Sequence, residues 1–313
     1  MFSCTKEKMR TEEITENQKI ICNDCVTEMA TMPAESVDVV ITSPPYNIKY
    51  DYYSYKDDAG YEEYFEWMRT TFAQIERVLK PDGSFFLNAG GNCKQPWNPM
   101  ELGFAAGQYM TLQNNIVWIK SISTNDKNYG HIRPMHGDRF LHQQHESIFH
   151  FTKHGNLKLD RLAIGVPYTD KWNLTRRTKK KDNVRCRGNA WYIPYETIHK
   201  KKAHGAAFPV ALPEQCILLH GLRSDLIVLD PFLGGGTTLL ACKKLGLHGI
   251  GIELDPYYCQ LSKENLEFKP ILISIDNKIF ENLDEASKET GISKQTINNR
   301  LRNENFSNYK LIF

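Results

Sequence analysis

Four consecutive residues, Ser43-Pro44-Pro45-Tyr46, put a hydroxyl, two ring-locked backbones and a phenol on one short turn. They follow an apolar, β-branched run, residues 37–41, with the composition of a buried strand. Proline removes backbone donors and fixes φ, so the strand ends there and the turn is rigid. A second stretch with chemical potential lies far downstream. Residues 225–229 read as a strand that ends in Asp230, followed by Pro231-Phe232-Leu233-Gly234-Gly235-Gly236 and a helix from near Thr237. This is the pattern of the first βα turn of a nucleotide-binding unit, in which glycines let the backbone approach a ligand closely. Leu239 stands where the dinucleotide fingerprint needs its next glycine, so a pyrophosphate ligand is disfavoured. About twenty residues on, Glu253 closes the next strand, where a carboxylate can accept hydrogen bonds from both hydroxyls of a ribose.

A third stretch is basic. Between Tyr168 and Lys202 eleven Lys and Arg residues face three acidic ones, Asp170, Asp182 and Glu196. The basic set includes Arg176, Arg177, Lys179, Lys180, Lys181, Arg185 and Arg187, and Trp172, Trp191, Tyr192 and Tyr195 are interleaved with it. Such a mixture suits a surface that tracks phosphates and stacks on bases; a solvated loop has the same composition. The 313-residue chain carries a net charge of only +2, so any nucleic-acid footprint is local.

These residues need elements to hold them. Residues 19–26 and 37–41 read as strands. Residues 60–80 read as a helix, because Tyr64, Trp67, Met68, Phe72, Ile75 and Leu79 recur at spacings of three and four. Lys80-Pro81-Asp82-Gly83 reads as a helix stop and turn before a strand at 84–88. A helix near 99–110, strands near 114–120 and 146–151, a helix from 209, and the strand–helix–strand–helix series to Leu266 complete an α/β layer with a mostly parallel sheet. Between 152 and 203 the rhythm lapses. Beyond Lys269-Pro270, two short helices flank a turn at Thr290-Gly291, with Ser293 as an N-cap.

Cysteine usage and targeting signals are uninformative in a useful way. The eight cysteines are scattered; Cys22 and Cys25 alone have a C-x-x-C spacing, with no second pair to complete a zinc set, so reduced thiols are expected. Six histidines fall between His131 and His154 without a standard ligand spacing, and no metal is expected. No apolar run approaches the roughly 20 residues that span a bilayer, and the first twenty residues lack an apolar signal core, which points to a cytoplasmic protein with no membrane partner.

Taken together, Ser43-Pro44-Pro45-Tyr46, then the Asp230–Thr238 loop, then Glu253 resemble the amino-methylating DNA methyltransferases over roughly residues 18–269. The catalytic tetrapeptide precedes the cofactor loop here, an order that resembles the permuted beta class. The resemblance implies an α/β, Rossmann-like S-adenosylmethionine-dependent methyltransferase sheet, circularly permuted, with an inserted target-recognition region and a small C-terminal helical module. Its parts would be an N-terminal arm (1–17), a catalytic half (18–151), the recognition region (152–203), a cofactor-binding half (204–269) and the module (270–313). Ser43, Pro44, Pro45 and Tyr46 would be catalytic. Asp24, Asp230, Phe232, Gly234, Gly236, Thr237 and Glu253 would hold the cofactor. The seven basic residues named above would bind double-stranded DNA. His145-Glu146 is similar to a strand entry of the family and is read as structural, and Asn47 as a residue that orients the loop.

In that family an exocyclic amine of a flipped-out base is methylated. Ser at the first motif position, and His204-Gly205-Ala206-Ala207-Phe208-Pro209 ahead of the cofactor loop, resemble the cytosine-N4 enzymes; adenine N6 is the alternative. A catalytically inactive DNA-binding accessory and an RNA methyltransferase are further rivals, which the intact tetrapeptide with Glu253 and the motif order, respectively, argue against. A cognate restriction endonuclease and a homodimer are the partners the resemblance implies. The C-terminal module resembles helix-turn-helix units of mobile-element and large-virus nucleases, with Lys294, Gln295, Asn298, Asn299 and Arg302 on its second helix.

Overall fold

The structure is a computed structural model that describes residues 11–313 apart from 16, 51, 53–54, 131–137, 169–183, 195–207, 269–271, 281–282, 302, 304–305 and 313. It divides into two units, Met1–Leu266 and Glu267–Phe313.

In the first unit the elements are, in chain order, β1 (Thr11–Thr15), β2 (Gln18–Cys22), α1 (Cys25–Thr31), β3 (Val37–Thr42), α2 (Tyr61–Val78), β4 (Leu79–Ala89), α3 (Asn98–Ala106) and β5 (Thr111–Ile119). The hairpin β6 (Ile122–Thr124) and β7 (Lys127–Tyr129) follows, then β8 (His145–Thr152), the short pair β9 (Val166–Pro167) and β10 (Val184–Arg185), and β11 (Ala190–Tyr192). The series closes with α4 (Ala211–His220), β12 (Ile227–Asp230), α5 (Thr237–Leu245), β13 (His248–Glu253) and α6 (Pro256–Glu267). Nine strands form one sheet in the order β1-β2-β13-β12-β3-β4-β8-β5-β11. Pairing is parallel from β2 through β4 and between β5 and β11, and antiparallel at β1·β2, β4·β8 and β8·β5.

All six residues of β3 are buried, as expected of a central parallel strand covered on both faces. Its side chains divide by alternation. Val40 packs with Met29 of α1, Met68 and Phe72 of α2 and Leu102 of α3, whereas Val39 and Ile41 pack with Leu212 and Ile217 of α4 and Cys242 of α5. The first unit is thus a three-layer α/β/α arrangement, with β3 and β12 side by side at its centre.

Four expectations change. The strand expected over 19–26 stops at Cys22, because Asp24 caps α1 by accepting the Thr27 N–H at 2.8 Å. Lys80–Gly83 is not a free turn: β4 begins at Leu79 opposite Val37 and resumes at Ser84 opposite Val39, so these residues bulge out of a continuous strand. The region 152–203 is not without sheet, since β11 pairs with β5, and Trp191, read as part of a basic and aromatic surface, is fully buried against Trp118 and Ile193. The C-terminal unit is not purely helical. It contains β14 (Leu272–Ile275), β15 (Lys278–Phe280), α7 (Leu283–Thr290), α8 (Lys294–Leu301) and β16 (Tyr309–Ile312), with the sheet order β15-β14-β16. Ser293 does cap α8, accepting from Thr296 N at 3.2 Å. Among the described residues no helix is long and apolar enough to cross a membrane, and no group of three or more His, Cys, Asp or Glu residues comes together to hold a metal. The described cysteines form no disulfide.

Candidate active site

The turn after β3 and the turn after β12 leave the same edge of the sheet and open into one cavity of about 490 Å³. In an open α/β sheet this edge, beyond the carboxyl ends of the strands, is where ligands bind. Ser43, Pro44, Pro45 and Tyr46 line the cavity, as do Asp230, Phe232, Gly234, Gly235, Thr237 and Glu253. The two sets are separated by about 190 positions in sequence, and a side-chain bond at the ends of their paired strands brings them together: Thr42 Oγ1 donates to Asp230 Oδ1 at 2.6 Å.

The first turn is held from several directions. Tyr64 of α2 donates its hydroxyl to the Pro45 carbonyl at 2.7 Å, and Asn98 of α3 donates to the Tyr46 carbonyl at 2.9 Å. No described residue donates to the carbonyl of Pro44. Asn47 takes the left-handed conformation at φ 55°, which Asn tolerates better than most residues, and its side chain donates to Ala59 O at 2.9 Å. The buried Asp57 carboxylate then collects the N–H groups of Asn47, Ile48 and Tyr50 at 2.8, 2.9 and 3.1 Å. Asn47 and Asp57 therefore fix the loop, and the side chains of Ser43 and Tyr46 are left to face the cavity.

Those two side chains meet three that sequence reasoning missed. Ser43 Oγ and Tyr46 Oη lie 2.7 Å apart. Asn88, at the end of β4, donates to Tyr46 Oη at 3.0 Å and to Glu146 Oε2 at 2.8 Å. Tyr46 Oη is 3.3 Å from Glu146 Oε2, and Lys120 pairs with Glu146 Oε1 at 2.8 Å. Burial and the neighbouring carboxylate push the Tyr46 phenol well above its ordinary range, so it stays protonated. Gly90 permits this convergence: a Cβ there would lie 2.6 Å from Tyr46 Cε2 and 3.0 Å from Glu146 Cδ.

On the second turn, Asp230 does not offer its carboxylate to a ligand. Both oxygens are taken by the hydroxyls of Thr42 and Thr238, each at 2.6 Å, and burial raises its pKa to about 6. Gly236, unlike Asp230, does not line the cavity. It has φ 86°, starts α5, and a Cβ there would meet Ser262 Oγ at 2.6 Å, so its role is to make the turn possible. Glu253 is the acceptor. Gly234 N–H donates to its Oε2 at 2.8 Å and Asp255 N–H to its Oε1 at 2.9 Å, and burial pushes its pKa up to about 7. Each oxygen keeps a lone pair for a further donor. Asp24 lines the cavity with its carboxylate engaged by Thr27. Aromatic residues close this side: Trp67 meets Phe232 edge-on at 5.5 Å, and Tyr50, Tyr52, Tyr55 and Tyr258 join the lining.

Of the basic residues, Arg176, Arg177, Lys179, Lys180 and Lys181 lie outside the described residues. Arg185 is exposed. Arg187 is half-buried and spends its Nε on the Ile164 carbonyl at 3.0 Å, which ties it to the scaffold. His204, with 205–207, also lies outside the described residues, whereas Phe208 is buried and lines the cavity.

A rigid turn with acceptors facing inward and a glycine loop held against a buried carboxylate thus share one cavity. The family model described as DNA methylase, of the N6/N4 type, matches residues 37–264, and the chain belongs to that family. A relative, the type II methyltransferase M.HpaI of Haemophilus parainfluenzae, is 28% identical over 259 residues, which cover 80% of this chain and 74% of that one. The solved structure titled PvuII DNA methyltransferase (cytosine-N4-specific) superposes with a TM-score of 0.60 at 20% identity, over 89% of this chain and 92% of that one. TTHA0409 of Thermus thermophilus, solved in complex with S-adenosyl-L-methionine, superposes with a TM-score of 0.52 at 22% identity, over 80% of this chain and 93% of that one. The two structural likenesses show a shared fold.

Proposed function

We propose that the protein is a site-specific DNA methyltransferase of the permuted beta class that methylates the N4 amine of cytosine. The observation that carries this reading is the pairing, in one cavity, of an acceptor turn at Ser43-Pro44 with the carboxylate cradle at Glu253. The cofactor is S-adenosylmethionine. When bound it supplies an electrophilic methyl group, with the carbon–sulfur electron pair returning to sulfur. The residues present fit it: Glu253 can take the two ribose hydroxyls, the backbone at Gly234 and Gly235 admits a close ligand, and the aromatic wall at Trp67 and Phe232 suits a planar base and a cation.

The exocyclic amine of a base is a poor nucleophile, because its lone pair is delocalised into the ring. Ser43 Oγ and the Pro44 carbonyl accept its N–H groups and draw the nitrogen toward tetrahedral geometry. They are already in place, so little reorganisation accompanies the reaction. The base reaches them by leaving the duplex. Ser43, rather than a carboxylate, at the first position supports cytosine. The exposed Lys294, Gln295 and Asn299 on α8 give the second unit a surface for an additional DNA contact, whereas Arg300 is tied to Tyr309 Oη at 2.6 Å. The likeness to a type II enzyme supports a restriction endonuclease acting at the same target.

The test is nucleoside mass spectrometry of duplex DNA treated with the protein and S-adenosylmethionine. 4-Methylcytosine is expected. 6-Methyladenine without 4-methylcytosine would replace the choice of base, and no methylated base in DNA would end the reading. Ser43→Ala should lower transfer by roughly 10²–10³-fold with cofactor affinity unchanged.

A further inference from the structure

We propose that Glu146 is a positioning residue for the transfer: acting through Tyr46, it turns a lone pair of Ser43 toward the amine and receives the proton that the amine gives up. This rests on the reading of the site as that of a DNA amino-methyltransferase.

The argument is one of donor and acceptor accounting. An ionised carboxylate only accepts, so Asn88 must turn its amide N–H groups toward Glu146 Oε2, at 2.8 Å. The same nitrogen then donates to Tyr46 Oη at 3.0 Å. With that lone pair used, the phenol proton has Ser43 Oγ at 2.7 Å, Glu146 Oε2 at 3.3 Å and the Asn88 carbonyl at 3.4 Å within reach. Only Glu146 offers a charged acceptor, and charge-assisted bonds are roughly twice as strong as neutral ones. With the phenol proton directed there, the single proton between Ser43 and Tyr46 belongs to Ser43, which donates it to Tyr46 Oη. Asn88 Nδ2 also lies 3.4 Å from Ser43 Oγ, and the remaining lone pair of Ser43 faces the cavity. Lys120 makes the assignment stable by occupying the other carboxylate oxygen at 2.8 Å, which leaves Oε2 to Asn88 and Tyr46.

The same chain carries a proton. When the amine nitrogen bonds the methyl carbon and the carbon–sulfur bond breaks, the nitrogen becomes positive and must lose one N–H proton. That proton goes to Ser43 Oγ, the Ser43 proton to Tyr46 Oη, and the phenol proton to Glu146 Oε2. Ser43 and Tyr46 end neutral and Glu146 ends as a carboxylic acid, so charge and protons balance. The phenol, held protonated by its surroundings, remains a neutral link throughout.

The experiment is a double-variant cycle of Glu146→Gln and Tyr46→Phe, read by single-turnover methyl transfer to duplex DNA. Two binding readouts accompany it: calorimetry with S-adenosylhomocysteine and 2-aminopurine fluorescence for base flipping. Each variant alone should transfer about 10²-fold more slowly, with both binding readouts as in the native protein. The double variant should be no slower than the worse single one, because both act through one chain. Native-rate transfer by Glu146→Gln overturns the proposal, as does multiplication of the two losses in the double variant. Loss of S-adenosylhomocysteine binding in Glu146→Gln also overturns it, by making the residue structural. If Glu146→Gln does not fold, Tyr46→Phe with native transfer rates is sufficient to reject the chain. Absence of transfer by the native protein to any duplex would instead reject the underlying function.

Discussion

At Glu253, burial and the proposed ribose contact act in opposite directions on one proton. Its pKa stands at about 7 and that of Asp230 at about 6, both above the ordinary carboxylate values of 4.5 and 3.8. The folded chain therefore keeps protons that the unfolded chain has released. The stability these groups contribute is complete below about pH 4 and is lost as pH rises through about 6 to 7. Ribose hydroxyls, as donors, favour the ionised form, so nucleoside affinity should rise across the same window. Calorimetry with 5′-methylthioadenosine, which carries the ribose but no titrating amine, should show affinity increasing as pH passes about 7. Glu253→Gln should flatten that profile, and a flat profile in the native protein would remove Glu253 from the ribose contact. Glu253, Ser43 and Tyr46 could be singled out in sequence because each sits in a short distinctive run, and the structure brings all three to one cavity. Glu146, Lys120 and Asn88 could not, since their meaning depends on contacts made only in the fold: Glu146 and Asn88 reach Tyr46, and Lys120 reaches Glu146. Glu146 even carried a local signal, in His145-Glu146, but that signal spoke of a strand rather than of a hydrogen-bond partner.

Among the elements, the loop–helix junction at Gly236 tolerates little change. A side chain there must adopt φ near 86° and also displace Ser262, whose Oγ donates to the Gly234 carbonyl at 3.0 Å. Gly236→Ala should cost roughly 1–3 kcal/mol. It should also weaken S-adenosylhomocysteine binding more than Ala substitutions elsewhere in α5, as thermal shift with and without the ligand would show. Native affinity in that variant would mean that the loop does not depend on this turn. Helices with strong periodicity were readable to within a residue or two; α2 runs from Tyr61 to Val78 where residues 60–80 were expected. The misreadings share a cause. Lys80-Pro81-Asp82-Gly83 has the composition of a turn, and only pairing with β3 shows it to be a bulge. Trp191 stands among arginines and lysines in sequence, and only the register with β5 places it opposite Trp118 in the core.

For the whole molecule, the division at Leu266 and Glu267 means that two compact bodies share one chain. The strands of the second body were not legible in sequence, because β14, β15 and β16 are too short to alternate convincingly and β16 joins β14 across two helices. Removing residues 271–313 should leave S-adenosylhomocysteine binding intact and lower DNA affinity, or reduce the slope of its dependence on salt. Unchanged affinity and slope would exclude a DNA contact by this unit. In the first body, the donor and acceptor turns leave neighbouring parallel strands, β12 and β3, and Thr42 clamps them together at Asp230. Adjacent strands in a sheet stand about 4.8 Å apart, a separation dictated by the peptide hydrogen bond. On the proposed reading, the two turns between which a methyl group passes therefore start from a spacing set by the backbone. Loops around the cavity can change length and composition to suit new DNA targets while that ruler stays constant.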